Sequence, residues 1–301
     1  MFSTWRSLGP QAKREALEGY LALSPWAIGF LVFTIVPITV SIYLGFTQWT
    51  ITQPPKWIGM DNYVRMFTDD PLFWQALKVT GQFVLISLPL KLIFGLALAL
   101  LLNLKVPGMN FYRTVFYVPA VISGVAVSLM WMYLLNPDTG VINTLLSHIN
   151  IKGPGWFWDP DWALPAVALM SVWKVGGGAI IYLAGLQNIP AHLYEAAEID
   201  GANKWNRFWR ITLPLLTPTI FFQLIIEMIE SFKVFTEAFV ITKGGPLKAT
   251  YFYLLYFYEE AFQNSNMGYA SSLALILTLI ILATTIFINY TSKRWVYYES
   301  D

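Results

Sequence analysis

Six long runs of apolar residues, separated by short polar segments, dominate this sequence and limit what it can fold into. A helix that crosses a bilayer needs about 20 mostly apolar residues, and each run reaches that length. Only 12% of the residues are charged, whereas a typical soluble domain has about 25%. The sequence therefore predicts an all-α integral membrane protein with six spans, at residues 21–46, 76–102, 113–136, 161–188, 214–240 and 268–292.

Several classes of active site are excluded by what the sequence lacks. It contains no cysteine, so it has no disulfide framework, thiolate zinc site or thiol nucleophile. His148 and His192 are too far apart in the sequence to form a metal cluster alone. No G-x-x-x-x-G-K-[ST] phosphate loop and no H-E-x-x-H motif occurs. We therefore expect no catalytic residue, metal or cofactor in this chain, and no intramembrane enzyme.

Lysine and arginine are distributed unevenly over the segments that connect the six runs. Cytoplasmic loops usually carry the excess of these residues. An N-terminus in the cytoplasm puts ten of them inside, namely Arg6, Lys13, Arg14, Lys105, Arg113, Lys204, Arg207, Arg210, Lys293 and Arg294. Six then lie outside: Lys56, Arg65, Lys78, Lys152, Lys243 and Lys248. We expect a transmembrane domain of residues 21–292 between two cytoplasmic segments, 1–20 and 293–301.

Helix-breaking residues interrupt several of the runs. Pro37, Pro89 and Pro119 are expected to kink helices or to begin them. The fourth run contains Gly176-Gly177-Gly178, which predicts close helix contact or local unwinding within the membrane. One outer loop is rich in aromatic residues, Trp156, Phe157, Trp158 and Trp162. These indicate either an interfacial aromatic belt or a surface that docks a partner or stacks on sugars.

A polar segment at about residues 189–213, between the fourth and fifth runs, overlaps the stretch EAAEIDGANKWNRFWRITLPLL, Glu195 to Leu216. It predicts a short helix that ends at Gly201, followed by a second helix that Asn203 caps and that runs from Lys204 towards Leu213. Helical spacing places Trp205, Phe208 and Trp209 on one face. Such a helix can lie at the membrane surface.

The same stretch resembles a known motif. Glu195-Ala196-Ala197, then Gly201, and then Ile211 and Leu213-Pro214 match the EAA loop of binding-protein-dependent ABC importer permeases. Further stretches are similar to the carbohydrate-uptake branch of that family, among them SPWAIGFLVFTIVPITVSIYLGFTQW, FYRTVFYVPAVISGVAVSLMW and SFKVFTEAFVITKGGP. The resemblance spans nearly the whole chain, and it implies a type I importer permease fold in the bacterial cytoplasmic (inner) membrane.

The resemblance also implies partners and a mechanism. A second permease, two cytoplasmic ATPase subunits that bind the ATP, an extracytoplasmic solute-binding protein, membrane lipid and a sugar substrate are expected, and no nucleic acid. The loop would enter a groove of the ATPase and couple ATP hydrolysis to alternating access. Its docking residues would be Glu195, Ala196, Ala197, Asp200, Gly201 and Ala202.

Charged residues inside the predicted spans indicate a second site, because such residues usually face a cavity or a partner. Lys91, Lys174, Glu227, Glu230, Lys233 and Glu237 qualify. They either neutralise one another or line the passage and bind sugar hydroxyls, and we include Trp131 and Trp173 as candidate pathway residues. The two acids at 227 and 230 favour a neutral polyhydroxyl ligand over a polyanionic one, unless the lysines dominate.

Other functions remain open at this stage. The same importer class carries other polar solutes, such as glycerol 3-phosphate or a polyamine, and the coupling motif does not distinguish between them. A channel or receptor that works alone would need no such motif.

Overall fold

The computed structural model describes residues 9–297, which are mostly helical. Arg6 and residues 298–301 of the predicted C-terminal tail lie outside the described residues. The chain divides into two compact units, one of residues 9–65 and 260–276 and the other of residues 66–259 and 277–297. In the described residues the α-helices are α1 Pro10–Phe30, α2 Val36–Leu44, α3 Asp61–Thr68, α4 Pro71–Leu102, α5 Met109–Val121, α6 Gly124–Leu134, α7 Val141–His148, α8 Pro160–Trp173, α9 Gly176–Gln187, α10 Ala191–Ile199, α11 Lys204–Arg207, α12 Leu213–Phe232, α13 Tyr253–Tyr258 and α14 Met267–Ser292.

The first unit contains a long apolar helix and a small hairpin. Helices α1 and α2 are joined by a π-helical turn, Leu31–Ile35, and form one apolar helix of 35 residues. The strands Thr47–Gln48 and Lys56–Trp57 pair antiparallel. Asn62 fixes the hairpin to α3, because its side-chain amide donates to the carbonyls of Gly45 and Thr47, both at 2.9 Å.

The second unit is built around α4, which packs against α8, α9 and α12. Asp70 begins this helix by accepting the amides of Leu72 and Phe73, and Pro71 suits the first helical position. Buried side chains of α4, α9 and α12 form one core cluster: Ala99, Leu102, Ala179, Tyr182, Leu183, Leu186 and Leu216.

Four helical stretches are long and apolar enough to cross a membrane: Pro10–Leu44, Pro71–Leu102, Lys204–Phe232 and Met267–Ser292. Two further pairs qualify if each bent pair is one span, α5 with α6 and α8 with α9. The sixth predicted run, 268–292, agrees with its helix to within one residue. The second, 76–102, ends where its helix ends but begins later, because the capped first turn of α4 is less apolar than the rest.

The helix that contains the first predicted span is longer than the span itself, which is predicted to start at residue 21. The helix begins at Pro10, so much of the predicted segment 1–20 is helical. Polar helix formers extend it, and Arg14 pairs with Glu18 at 2.9 Å along one helical face. Hydropathy alone does not detect such an extension, because it reports the apolar part of a helix and not the helix itself.

The helix that contains most of the fifth run, 214–240, also has bounds that differ from those of the run. The second helix of the polar segment does not stop near Leu213 but continues through a π-helical turn, Phe208–Thr212, into α12. Pro214 follows this π-helical turn inside the continuous helix, where its missing amide leaves one helical hydrogen bond unmade. The α-helix ends at Phe232, and helical structure resumes only at Thr236.

The third and fourth runs are both broken, as their proline and glycines predict. The axes of α5 and α6 differ by 98°, just after Pro119, where Ile122 and Ser123 are extended. Those of α8 and α9 differ by 47° just before the three glycines. At Gly176 a methyl group would lie 1.9 Å from the Phe116 carbonyl oxygen, so the two backbones touch. Pro89, in contrast, lies inside α4 without a break.

The Gly176 contact predicts a specific effect on stability. Gly176→Ala forces the α5 and α9 backbones apart, and overpacking of this kind costs about 1–3 kcal/mol. We expect a lower melting temperature in detergent. Gly81→Ala is the matched control, because Gly81 is also helical but has no atom within 4 Å of an added methyl. An unchanged melting temperature for the first variant would contradict the close contact.

Candidate functional site

Three helix breaks meet at one cavity of about 320 Å³ in the second unit. Gly124, at the start of α6, marks the first break, and a methyl on it would lie 3.4 Å from Thr236 Cγ2 and 3.9 Å from Lys174 Nζ. Lys174 lies at the second break and Thr236 follows the third. The cavity walls carry six charged side chains: Lys91, Lys174, Glu227, Glu230, Lys233 and Glu237.

The helix breaks explain why charged residues are tolerated at Lys174, Lys233 and Glu237. Lys174 caps the C-terminus of α8, and Lys233 caps the C-terminus of α12. A helix C-terminus carries a partial negative charge, which stabilises a nearby cation. Glu237 lies at the start of the next helical segment, where the partial charge is positive. The sequence had indicated that Lys233 and Glu237 lie within a continuous span, but they lie at its interruption.

The six charged side chains form three ion pairs, and the pair of Lys91 with Glu227 is the least exposed of them. The Lys91 ammonium is 3.2 Å from the Glu227 carboxylate, and the side chains are only 13% and 22% exposed. Lys91 also donates to the Ser231 hydroxyl at 3.4 Å, and Ser87 donates to the same hydroxyl at 3.4 Å. This network joins the middle of α4 to α12.

The other two pairs lie more openly on the cavity wall. Lys174 Nζ is 3.3 Å from Glu237 Oε1, and Lys233 Nζ is 3.1 Å from Glu230 Oε1. Each of the six charges is therefore paired, which is the neutralising arrangement considered for the sequence. The same charges also line the cavity. The alternative, that they bind a solute, is therefore compatible with this arrangement. Their formal sum is zero.

The two candidate tryptophans lie elsewhere. Trp131 and Trp173 contact each other edge to face, with ring centroids 6.2 Å apart. Trp173 lines a separate apolar cavity with Phe94, Phe116 and Pro119, and neither ring lines the charged cavity. Their role in a pathway stays a prediction. The sequence did not mark the remaining wall residues, such as Ser171 and Thr236, because uncharged side chains give no signal in an apolar run.

The predicted coupling stretch forms an exposed helical turn. Helix α10 carries Glu195, Ala196 and Ala197, and Asp200 caps its C-terminus. Gly201 has φ +77°, and its amide donates to the Glu198 carbonyl at 3.1 Å. The Ala202 amide donates to the Ala197 carbonyl at 2.8 Å. These bonds form a Schellman motif, which requires a left-handed residue that glycine supplies without steric cost.

A second arm leads from this turn into α12. The Asn203 side chain caps α11 by accepting the Asn206 amide at 2.8 Å, as the sequence predicts. Arg207 bonds Glu198 across the turn at 3.2 Å and so ties the two arms together. Trp205, Phe208 and Trp209 form the expected aromatic face, with ring centroids 5.4–6.4 Å apart. Ile199, at the tip, is 88% exposed.

Comparison with known proteins identifies the family. Residues 91–297, from Lys91 in the charged cavity to the end of the described chain, match the family described as "Binding-protein-dependent transport system inner membrane component". The chain belongs to this family. As an inner membrane component it is a multi-pass protein of the cytoplasmic membrane, in agreement with its apolar helices.

Two relatives cover nearly all of this inner membrane component. It is 46% identical over 292 residues to the probable ABC transporter permease protein YesP of Bacillus subtilis. This match covers 96% of this chain and 94% of YesP. It is 34% identical over 287 residues to the sulfoquinovosyl glycerol transport system permease protein SmoG of Agrobacterium fabrum, covering 94% of this chain and 91% of SmoG.

A solved structure shares the fold. It is a bacterial ABC transporter involved in the import of the acidic polysaccharide alginate, whose matching chain is 30% identical with a TM-score of 0.81. The match covers 94% of this chain and 97% of that chain. A second structure shows the alginate transporter in complex with an alginate pentasaccharide-bound periplasmic protein, again with a TM-score of 0.81. The fold is therefore that of a type I importer permease.

The Lys91–Glu227 pair predicts a large loss of stability when one partner is removed. Lys91→Met leaves a mostly shielded carboxylate without its partner, which costs about 1–3 kcal/mol. The double variant Lys91→Met with Glu227→Leu should recover most of that loss. A double-mutant cycle of melting temperatures in detergent measures this. Lys233→Met is the control, since its half-exposed pair is expected to contribute less than about 1 kcal/mol. Equal losses for the two lysines would contradict this assignment.

Proposed function

We propose that this chain is the transmembrane subunit of an ATP-driven importer of sugars or oligosaccharides and forms half of the translocation pathway. The observation that carries the proposal is the Schellman turn at Gly201. It presents the residues of the EAA motif, Glu195 to Ala202, on an exposed helix end. Small side chains there permit close approach of another protein, and Glu195 is free to pair with a cation on it. The family match supports the same role.

The proposal includes partners and a topology. A second permease would complete the pathway, two ATPase subunits would bind the coupling loop at residues 189–213, and a binding protein would deliver the solute from outside. The alginate transporter bound to its periplasmic protein supports such an arrangement. Hydrolysis of ATP would occur in the partner subunits, because this sequence has no phosphate loop. Six spans within residues 21–292, with both termini in the cytoplasm, are consistent with the apolar helices and the distribution of basic residues.

The charged cavity is the proposed part of the pathway in this subunit. Lysine donors and carboxylate acceptors stand side by side on its wall, and sugar hydroxyls are both donors and acceptors of hydrogen bonds. Two of the proteins that the chain resembles transport sugar derivatives according to their names, namely alginate and sulfoquinovosyl glycerol. We therefore place Lys174, Glu230, Lys233 and Glu237 in the pathway, with Glu227 as the partner of Lys91.

The class of sugar is less restricted than the two acids at 227 and 230 suggest. Lysines offset the three glutamates, so the formal charge of the cavity does not reject an acidic sugar. A neutral oligosaccharide remains the first candidate, and an acidic one is supported by the alginate and sulfoquinovosyl relatives. Import of glycerol 3-phosphate or another polar solute is the alternative, because the coupling turn would be the same.

Removing one ion pair as a unit tests the pathway. In the double variant Lys174→Met with Glu237→Gln, no charge is left unpaired, but the solute loses charge-assisted hydrogen bonds worth about 1.5–3 kcal/mol. We expect sugar uptake into proteoliposomes with the assembled importer to fall about tenfold or more. Stimulation of ATP hydrolysis by the binding protein should stay close to wild type.

The assay should compare a neutral with a uronic oligosaccharide, and it needs a matched control. Lys78→Ala serves, since Lys78 is exposed on α4 and does not line the cavity. Unchanged uptake in the double variant would contradict a pathway at this cavity. If the wild-type importer takes up neither sugar, and a different solute stimulates its ATP hydrolysis, the result would favour import of glycerol 3-phosphate or another polar solute.

A further inference from the structure

A second cavity lies where α4 ends and the coupling segment begins. It measures about 350 Å³ and is lined by Leu100, Asn103, Leu104, Leu186, Tyr194, Lys204, Arg207, Phe208 and Thr212. All of these belong to the second unit. The walls divide into an apolar side of three leucines and a phenylalanine and a polar side that carries two cations. No carboxylate is among these lining residues.

The polar side is arranged to receive an anion. In the described part of the chain Lys204 has no carboxylate within 4 Å, whereas the Arg207 guanidinium already bonds the carboxylate of Glu198, which does not line the cavity, at 3.2 Å. The Asn103 amide adds an uncharged donor, whereas the Tyr194 and Thr212 hydroxyls bond each other at 2.9 Å and Thr212 donates to the Arg207 carbonyl at 3.4 Å. Lysine, arginine and hydroxyl groups together are typical ligands of phosphate oxygens.

Exposed apolar side chains lie near the cavity. Leu101 and Leu104, at the end of the candidate span Pro71–Leu102 and just beyond it, are 61% and 55% exposed. Trp205 and Trp209 lie nearby on α11 and the π-helical turn and are also exposed. Tryptophans concentrate at the membrane–water interface. The cavity therefore lies at the depth of lipid headgroups, with leucines next to the acyl chains.

We infer that this cavity is a binding site for an anionic phospholipid. The headgroup phosphate would lie against Lys204 and Arg207, and the acyl chains would follow Leu101 and Leu104. Basic cavities between membrane helices bind anionic headgroups in this manner. Because Arg207 also ties together the two arms of the coupling turn, a bound lipid would contact the segment that holds this turn in place. The inference depends on the membrane location alone, so it stands or falls separately from the proposed sugar transport.

Native mass spectrometry of the assembled importer tests the site, with phosphatidylglycerol as the probe and phosphatidylcholine for comparison. We expect retention of phosphatidylglycerol, with about fivefold weaker binding after Lys204→Gln. Asn103→Asp should weaken it too, because it places a negative charge on the polar side. Arg210→Gln is the matched control, since Arg210 is basic, exposed and next to the cavity in sequence but does not line it.

Three outcomes would overturn the inference. Equal losses for Lys204→Gln and Arg210→Gln would indicate a general effect of charge and no site. Absence of phosphatidylglycerol from the wild-type importer would mean that another subunit or nothing fills the cavity. Displacement of the lipid by inorganic phosphate at similar concentration would identify a site for the free anion.

Discussion

The pairing of charges in segments that cross a bilayer is the constraint on which the rest of this structure depends. A lone lysine or glutamate there is costly to insert, by roughly 2.5–3.5 kcal/mol on insertion scales. Here three lysines meet three glutamates at 3.1–3.3 Å. Two of the lysines also cap helices that stop inside the apolar region, at Lys174 and Lys233. Two of the three ion pairs therefore include a lysine at a helix break.

This arrangement gives the cavity a character that suits a transported solute. Paired charges retain donors and acceptors on the wall, while their sum of zero avoids a strong preference for one sign of ligand. The pairs also differ in exposure. Lys91 and Glu227 are mostly shielded and joined to Ser231, so they hold α4 against α12, whereas Lys233 and Glu230 are about half exposed. A solute can compete for the open pairs more easily than for the shielded one.

Much of this could be predicted from the sequence, and the failures have physical causes. Hydropathy located the sixth helix almost to the residue, and Pro119 and Gly176 marked the two bends. The N-terminal turns of the first helix were missed because polar helix formers carry no apolar signal. The break after Phe232 was missed because no proline or glycine marks it, so Lys233 and Glu237 were expected inside a span.

The turn at Gly201 was the most predictable part, because its geometry is local. The left-handed conformation at Gly201, the cap at Asn203 and the aromatic face of Trp205 follow from residues within one or two turns. The partner of each charge could not be predicted in this way. Lys91 meets Glu227, and Lys174 meets Glu237, only through packing of helices that are distant in sequence.

The most direct test of the account measures coupling at Gly201. With φ +77° and no atom within 4 Å of an added Cβ, a substitution here acts through backbone conformation and not through a clash. Gly201→Val disfavours the left-handed turn, whereas Gly201→Asn tolerates it. For the assembled importer in nanodiscs, the account predicts that the valine variant loses ATP hydrolysis stimulated by the binding protein and that the asparagine variant keeps most of it. Full stimulation with valine, in a complex that still contains its ATPase, would contradict the account.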